Sequence, residues 1–383
     1  MKRVLSLLIT LALLISTLFA FSGCGEAAQS GDLGKDFTLT GSMQLDYATH
    51  FGVDYYERDG LTYKLIHTDD TKVLVVPEGA DVPGGIADDI IVLKQPVENI
   101  YLAATAAMCL FDALDSLDAI RLSGTKADGW YIENARKAME DGRIIYAGKY
   151  SEPDYELLLS ENCSVAVESM MITHATEVKG KLGELGIPVL TDESSLESHP
   201  LGRTEWIKLY ATILGKEDRA NEIFDEQKAF LKEVEEGEPT NKTVAFFYIS
   251  SSGNAVVRKS GDYVSKMIEL AGGKYVFDNI GDPEKANATV NLEMESFFAA
   301  AKDADYIIYN STIGGEVKDL NTLLSKSTLL KEFKAVKEGN VWCTEENMYQ
   351  ETTRLGETIQ SFRKIFTGEA DDLDELPYLY RLK

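Results

Sequence analysis

Basic side chains are scarce in this sequence. Among its 383 residues, 38 Lys and Arg stand against 63 Asp and Glu, which gives a formal net charge of −25. No cluster of basic residues forms a stripe along the chain. Because such a surface repels nucleic acid and anionic lipid headgroups, the sequence predicts neither as a partner.

Cysteine and histidine are equally rare, with four residues of each. Cys109, Cys163 and Cys343 lie in apolar stretches, which predicts buried free thiols rather than a disulfide framework. A metal ion bound directly by the protein needs three or four converging His and carboxylate ligands. With so few histidines and no His-rich loop, the sequence predicts no metal site of this kind.

The familiar motifs of catalysis are missing as well. The chain has no Gly-x-Ser-x-Gly elbow, no P-loop, no His-Glu-x-x-His helix and no Gly-x-Gly-x-x-Gly turn. The hydroxyl groups of "SSSGN" (250–254) have no His or Lys base beside them. We therefore expect a protein that is not an enzyme and that has no cofactor of its own. A hydrolase and a surface protein without a transport role are the less favoured alternatives.

A long apolar run occurs only at the start of the chain. Lys2 and Arg3 precede the apolar residues 4–21, and small residues follow. This order is typical of an export signal, which we predict over 1–23. The alternative is an uncleaved transmembrane helix, because about 20 apolar residues can cross a bilayer. Both interpretations place the folded part outside the cytoplasm and tie it to a membrane.

The stretch "FSGC" that ends this run resembles the lipobox of bacterial lipoproteins. That resemblance implies cleavage before Cys24 and a lipid on its thiol, so that acyl chains hold the protein on the cell membrane. Residues 24–36, rich in Gly, Ala and Ser, then read as the lipidated cysteine and a flexible tether. Removal of residues 1–23 leaves 36 basic and 63 acidic side chains, a net charge of −27.

The remaining sequence shows two series of alternating strands and helices. The remaining chain of about 350 residues is longer than a single hydrophobic core usually accommodates, so two domains are expected. Residues 37–199 read as an N-terminal α/β lobe with a leading hairpin that turns at "ERDG" (57–60), and residues 239–383 read as a C-terminal α/β lobe. Residues 200–238 contain no convincing strand and are predicted as a connecting helix, either continuous or broken near Gly215.

Each lobe contains a short helix headed by an acidic residue, followed by a buried strand. "DYELLLSENCSVAVES" (154–169) in the first lobe matches "EMESFFAAAKDADYIIYNS" (293–311) in the second. From the residues alone, Glu in a first helical turn can simply complement the helix dipole.

The lipobox, the two lobes, the joining helix and the paired Glu-helix-strand units resemble the helical-backbone (class III) periplasmic binding proteins of ABC importers. The most specific stretches are "IPVLTDESSLESHPLGRTEWIKLYATILGKEDRANEIF", "YVSKMIELAGGKYVF" and "AKDADYIIYNS". The resemblance implies two Rossmann-like lobes with a ligand cleft between them. It also implies a function: binding an iron–siderophore complex, or alternatively haem or cobalamin, for delivery to an importer.

In that family, exposed glutamates on both lobes dock into arginine pockets of the permease. The resemblance assigns this role to Glu156 in the first lobe and to Glu295, or the adjacent Glu293, in the second. The implied partners are a permease dimer with its ATPase subunits, a small-molecule metal chelate, and the membrane through the lipid anchor. The protein itself is expected to be a monomer.

Ligand contacts are expected in loops at the carboxyl ends of the strands, between the lobes. Basic groups there can meet anionic oxygens, and aromatic or Met side chains suit a chelate or macrocycle, although such residues often pack in cores instead. Arg203, at the start of the connecting helix, needs an anionic partner, which can be the ligand, Glu205 or Glu197. The histidines could supply an axial ligand to haem iron. The candidate ligand-binding residues are Arg203, Arg258, Lys259, Trp130, Tyr150, Met170, Met171, His174, His199 and Tyr349.

Overall fold

The computed structural model describes residues 33–286 and 289–383. The predicted signal peptide and Cys24 lie outside the described residues, as does most of the predicted tether. Within the described ranges, no helix combines the length and the hydropathy of a membrane span.

Twenty strands form the sheets of the described chain. They are β1 Thr38–Ser42, β2 Phe51–Arg58, β3 Leu61–Thr68, β4 Lys72–Val76, β5 Ile90–Lys94, β6 Ile100–Leu102, β7 Ile120–Ser123, β8 Ile145–Tyr146, β9 Gly148–Lys149, β10 Glu152–Pro153, β11 Ala166–Ser169, β12 Val189–Asp192, β13 Thr243–Ile249, β14 Ala255–Arg258, β15 Lys274–Tyr275, β16 Thr289–Leu292, β17 Tyr306–Tyr309, β18 Val341–Thr344, β19 Glu375–Leu376 and β20 Leu379–Arg381.

Thirteen α-helices accompany them in the described ranges. They are α1 Met108–Ala113, α2 Glu133–Glu140, α3 Tyr155–Ser160, α4 Thr176–Glu184, α5 Pro200–Glu205, α6 Ile207–Leu214, α7 Glu217–Glu235, α8 Tyr263–Leu270, α9 Met294–Ala301, α10 Ser311–Gly314, α11 Leu320–Lys326, α12 Lys334–Glu338 and α13 Leu355–Thr367. Short 3₁₀ turns occupy Thr105–Ala107, Leu117–Ala119, Ala127–Gly129, Met170–His174, Ser194–Leu196, Thr328–Glu332, Met348–Gln350 and Thr352–Arg354.

The prediction of an α/β fold with two lobes is confirmed. The N-terminal lobe is built on a parallel sheet with the order β12-β11-β6-β7-β8. The C-terminal lobe is built on a larger sheet with the order β16-β14-β13-β17-β18-β20-β19, in which β13, β17 and β18 are parallel. Helices cover these sheets because parallel strands can be joined only by long crossovers.

The predicted leading hairpin is part of a separate five-stranded sheet, β1-β2-β3-β4-β5. Its β2–β3 turn lies at Asp59 and Gly60, both with positive φ. One face of this sheet packs on α6 and the N-terminal lobe through side chains such as Val53, Ile66 and Val73. The other face is covered by neighbouring chain, including Leu33 and Phe37. The sheet is therefore part of the N-terminal core and not an appendage.

Two buried glutamates fasten this sheet to the start of the connecting segment. The Glu205 carboxylate accepts hydrogen bonds from the main-chain N–H groups of residues 46–48, at 2.8 to 3.1 Å, and from Lys208 Nζ at 2.7 Å. The Glu197 carboxylate accepts from the N–H groups of residues 49 and 50 at 2.9 to 3.0 Å, and from Trp206 Nε1 at 3.1 Å. These charge-assisted bonds fix the entry of the chain into β2.

The connecting segment, predicted over 200–238, is three helices, α5, α6 and α7, rather than one. The predicted break at Gly215 is present, since Gly215 caps α6 in the left-handed conformation with φ of 69°. A further boundary at Trp206, between α5 and α6, had no sequence signal such as Gly or Pro. The long helix is α7, and it packs against α13 of the C-terminal lobe.

Candidate functional site

A cavity of about 340 Å³ lies where the two lobes and the connecting segment meet. The N-terminal lobe contributes small residues, α5 contributes Arg203, and the C-terminal lobe contributes the rest of the wall. The lining residues are Ala106, Ser194, Ser195, Arg203, Arg258, Asp262, Tyr263, Ala286, Ile313, Met348, Tyr349, Thr352 and Leu355. We call this space the arginine cavity.

The side chain of Arg258 is held in the wall of the arginine cavity by two partners, Asp262 and Tyr349. Arg258 is the last residue of β14 and is only 7% exposed. Its Nη1 lies 3.3 Å from Asp262 Oδ2, and its Nη2 donates to the hydroxyl of Tyr349. That hydroxyl also accepts from Asn310 Nδ2 at 2.8 Å. Because both lone pairs of the Tyr349 oxygen are used, its own proton is free to be donated.

Arg203 approaches from the other side, on α5. Its Nη2 donates to Ser195 O at 2.7 Å and its Nε to Glu197 O at 3.2 Å. Its guanidinium lies over the ring of Tyr263, 3.9 Å from the centroid. Within the described residues it forms no ion pair, because the carboxylates of Glu197 and Glu205 bind the segment 46–50 instead. The carboxylates of Glu197 and Glu205, which the sequence suggested as local partners of Arg203, are thus bound to other groups.

The electrostatics of the arginine cavity favour a negatively charged ligand. Burial lowers the pKa of Arg203, yet an arginine stays protonated at neutral pH. Burial raises the pKa of Asp262, against the opposing effect of Arg258 and Arg203, and burial also raises the pKa of Asp192 below the cavity. Both guanidinium groups therefore line one space, and among the described residues only Arg258 has a carboxylate partner, Asp262. An anion placed between them gains charge-assisted hydrogen bonds.

The structure brings three of the predicted ligand-binding residues together in this cavity: Arg203, Arg258 and Tyr349. Trp130 is a correction. It is 2% exposed in the N-terminal core, and its Nε1 donates to Ser123 Oγ at 3.3 Å, so it cannot line a cleft. An aromatic side chain in a loop after a strand can pack into the core as readily as it can face the cleft. Here the apolar surface below the loop favours packing of Trp130 into the core.

The remaining predicted residues lie away from the arginine cavity. Lys259 follows Arg258 but its side chain runs along Gly281. Tyr150 packs partly against the core under β11. Met170, Met171 and His174 lie on the 3₁₀ turn Met170–His174, where Met171 and His174 are exposed. In this structure none of these side chains is part of the cavity wall.

His199 has a structural role in the described chain. Its ring stacks on Tyr47 with centroids 4.2 Å apart, and its Nδ1 accepts from Leu201 N at 3.2 Å, which caps α5. Burial lowers the pKa of His199, so the neutral ring that this cap requires is favoured. It lines a separate cavity with Lys266, Glu269 and neighbours.

The glutamates predicted to dock to a permease are all exposed. Glu156 lies in the first turn of α3, which Asp154 caps, and Glu295 lies in the first turn of α9. Glu293 is the N-cap residue of α9, but its side chain makes no capping hydrogen bond. Each carboxylate is therefore available for an ion pair with another protein.

Sequence reasoning did not single out several residues of the cavity wall. Asp262 and Tyr263 follow Arg258 in a loop that was expected to face the cleft, and a buried Arg needs such a carboxylate partner. Ser194 and Ser195 follow β12 directly, at the carboxyl edge of the sheet. Their position after a parallel strand was the sequence signal that could have identified Ser194 and Ser195 as cavity residues.

These features define a class of protein: two α/β lobes, a connecting helical segment, and a ligand cavity between them. The chain matches the model of the family described as "Periplasmic binding protein" over residues 114–347, more than half of its length. The chain belongs to this family. The N-terminal sheet β1–β5 precedes the matched residues.

Solved structures of similar fold include several binding proteins. A periplasmic binding protein from Veillonella parvula is 16% identical with a TM-score of 0.58, covering 82% of this chain and 97% of that one. The periplasmic haem binding protein HutB of Vibrio cholerae is 17% identical with a TM-score of 0.55, covering 69% of this chain and 98% of that one. An ABC-type Fe³⁺-hydroxamate transport protein from Saccharomonospora viridis is 16% identical with a TM-score of 0.54, covering 71% and 93%.

An archaeal relative extends the comparison to the whole chain. The "Uncharacterized lipoprotein MJ0872" of Methanocaldococcus jannaschii is 27% identical over 401 residues, covering 97% of this chain and 98% of that protein. The family and the solved neighbours are binding proteins rather than enzymes. The chain is thus a binding protein of the periplasmic type, and its family indicates an extracytoplasmic location.

Proposed function

We propose that this protein is a lipid-anchored receptor that binds an anionic iron complex, a ferric siderophore above all, and delivers it to an ABC importer. The observation that carries the proposal is the arginine cavity, where Arg203 from the connecting segment and Arg258 from the C-terminal lobe face one space. Cobalamin and haem, whose binding proteins share the fold, are the alternatives.

The chemistry of the cavity supports the choice among these ligands. Its polar groups are mostly donors: two guanidinium groups, the hydroxyls of Ser194 and Ser195, and the Tyr349 hydroxyl with its free proton. Ferric siderophores present several anionic oxygens, which match converging donors.

Delivery would use the exposed glutamates and the lipid anchor. Glu156 and Glu295 lie on different lobes, so ion pairs with arginines of a permease dimer would fix the orientation of the whole receptor. A lipid on Cys24 would keep the receptor at the membrane surface, because each buried methylene contributes roughly 0.8 kcal/mol. The energy for transport would come from the ATPase subunits of the importer.

Ligand titration tests the proposal directly. The purified protein is titrated with a ferric catecholate complex, ferric citrate, ferrioxamine, haemin and cyanocobalamin, and tryptophan fluorescence and thermal unfolding are recorded. We expect an anionic ferric complex to raise the Tm and to bind at least tenfold more tightly than ferrioxamine, because a net negative charge pairs with both arginines, whereas the hydroxamate charges of ferrioxamine are balanced by its ferric ion. Tightest binding of cyanocobalamin or haemin would contradict the siderophore assignment.

A further inference from the structure

Gln350 makes a contact between the lobes that neither the cavity nor the docking sites explain. It lies in the 3₁₀ turn Met348–Gln350, which follows β18 of the C-terminal lobe, and is 8% exposed. Its Nε2 donates to Gly129 O at 2.9 Å, and its Oε1 accepts from Tyr131 N at 2.9 Å. Both partners belong to the N-terminal lobe. One side-chain amide thus pairs with a main-chain acceptor and a main-chain donor two residues apart.

The next residues along the chain reinforce this contact. The Thr204 hydroxyl of α5 donates to Thr352 O at 2.8 Å in a buried position. The 3₁₀ turn Thr352–Arg354 packs against α1 of the N-terminal lobe. The segment 348–354, which we call the strap, therefore belongs to the C-terminal lobe by sequence but is fastened to the other side of the cleft.

Adjacent residues of the strap hold opposite lobes. Tyr349 is bound through its hydroxyl to Arg258 and Asn310 of the C-terminal lobe. Gln350 is bound to Gly129 and Tyr131 of the N-terminal lobe. Tyr349 also lines the arginine cavity, so a ligand in this cavity lies next to one end of the pair. The other end, Gln350, joins the two lobes.

We propose that Gln350 is a positioning residue, a latch that holds the two lobes together and couples occupancy of the arginine cavity to lobe closure through Tyr349. The coupling to a ligand rests on the proposed function. The latch itself does not, because its hydrogen bonds join groups of the protein only. A failure of the latch experiment below would leave the proposed ligand unaffected.

The test measures the latch in the ligand-free protein. Gln350→Ala removes both hydrogen bonds, and Gln350→Glu keeps the shape but removes the donor to Gly129 O. Gln360→Ala is the matched control, because its amide pairs with Glu233 and Lys364 and makes no contact with the N-terminal lobe among the described residues. Hydrogen exchange at the Tyr131 amide is one readout. The other is the distance between nitroxides on Glu152→Cys and Ser296→Cys, both exposed, in a Cys163→Ser background.

We expect exchange at the Tyr131 amide to accelerate at least tenfold in Gln350→Ala, which removes its acceptor, and the interlobe distance distribution to broaden towards longer values in both Gln350 variants. The Gln360→Ala control should match the parent protein. Tyr349→Phe, which leaves Gln350 intact, should broaden the distribution to a lesser extent. Unchanged exchange and distances in Gln350→Ala, or unchanged distances in Gln350→Glu, would overturn the latch. An unchanged distribution in Tyr349→Phe would overturn the coupling.

Discussion

Arg203 shows how a single residue can be charged, largely enclosed and still without an ionic partner in the described part of the chain. Its main-chain acceptors, Ser195 O and Glu197 O, orient the guanidinium without neutralising it. The ring of Tyr263 covers one of its faces and contributes a cation–π interaction. A guanidinium in this condition is well suited to receive an anion, because little rearrangement is needed when the ligand arrives.

Replacement of Arg203 by Gln should weaken binding of an anionic ferric complex by about 10- to 100-fold, since charge-assisted hydrogen bonds contribute about 1.5–3 kcal/mol. Stability should change little, because the carboxylates nearby are bound elsewhere. Titration calorimetry gives the affinity and thermal unfolding gives the stability. Lys259→Gln is the control, as Lys259 lies outside the arginine cavity. Equal losses in the two variants would contradict the assignment.

Glu168 is a second residue with a measurable consequence. It lies in β11, is fully buried, and neither carboxylate oxygen has a hydrogen-bond partner among the described residues. Burial raises the pKa of Glu168 to about 8. The folded state therefore holds this proton more tightly than the unfolded state, where the pKa is 4.5.

The stability of the protein should consequently fall as the pH rises from about 4.5 to about 8, by a few kcal/mol, because one pKa unit corresponds to about 1.4 kcal/mol. Glu168→Gln has no proton to lose. Relative to the parent protein, the variant should become progressively more stable across this window. Urea unfolding at pH 5 and at pH 9 measures the difference, and an equal pH dependence in both proteins would refute the argument.

At the scale of elements, the five-stranded N-terminal sheet depends on the two glutamates that bind residues 46–50. Glu205→Ala leaves the N–H groups of residues 46–48 and the Lys208 ammonium without their acceptor. We expect a loss of about 3–5 kcal/mol in the free energy of unfolding.

Glu222→Ala is the matched control for this prediction. Glu222 lies on the exposed surface of α7 and pairs with Arg219 at 3.2 Å. Exposed pairs of this kind contribute about 0.3–0.5 kcal/mol. Urea unfolding of both variants gives the comparison. A Glu205→Ala protein as stable as the control would mean that the sheet is held by apolar packing alone.

Most elements were predictable from the sequence, and the reasons for the exceptions are physical. "TVAFFYI" and "NVWCT" are buried parallel strands, whose apolar runs identify them directly. "KVLVV" has the same appearance, but β4 belongs to the separate N-terminal sheet, where it is antiparallel to β3 and parallel to β5. An apolar run shows that a strand is buried and does not show which sheet it joins. The partners of Glu197 and Glu205 are about 150 residues away, beyond any local pattern.

The candidate site was predictable to the level of loops. Arg203, Arg258 and Tyr349 were expected near the cleft and meet there, while Trp130 turned into the core. The difference is set by packing: a guanidinium needs polar neighbours, whereas an indole is stabilised by any apolar surface that also offers one acceptor. Contact with a ligand by these three residues stays a prediction.

For the whole molecule, charge and geometry separate ligand binding from delivery. The cavity is basic, whereas the surface is strongly acidic, with a net charge of −25 for the chain. Reversal of the exposed charges in Glu156→Lys together with Glu295→Lys should abolish uptake of the ligand, because repulsion from permease arginines would replace attraction. Ligand affinity should remain unchanged, since neither residue lines the cavity.

Uptake of radioactive iron by cells that carry the variant pair measures this effect, with calorimetry on the same proteins. Glu152→Lys, an exposed change near α3, is the control. Normal uptake by the variant pair would remove both glutamates from the proposed docking surface. Reduced affinity would show that they support the cavity instead.

Native mass spectrometry of the protein purified from its own source tests the central claim most directly, with the absorbance spectrum recorded on the same sample. We predict a bound iron complex with anionic oxygen donors in the parent protein, absent when Arg203 and Arg258 are both replaced by Gln. A bound haem or cobalamin, or an iron complex retained by the double variant, would contradict the account.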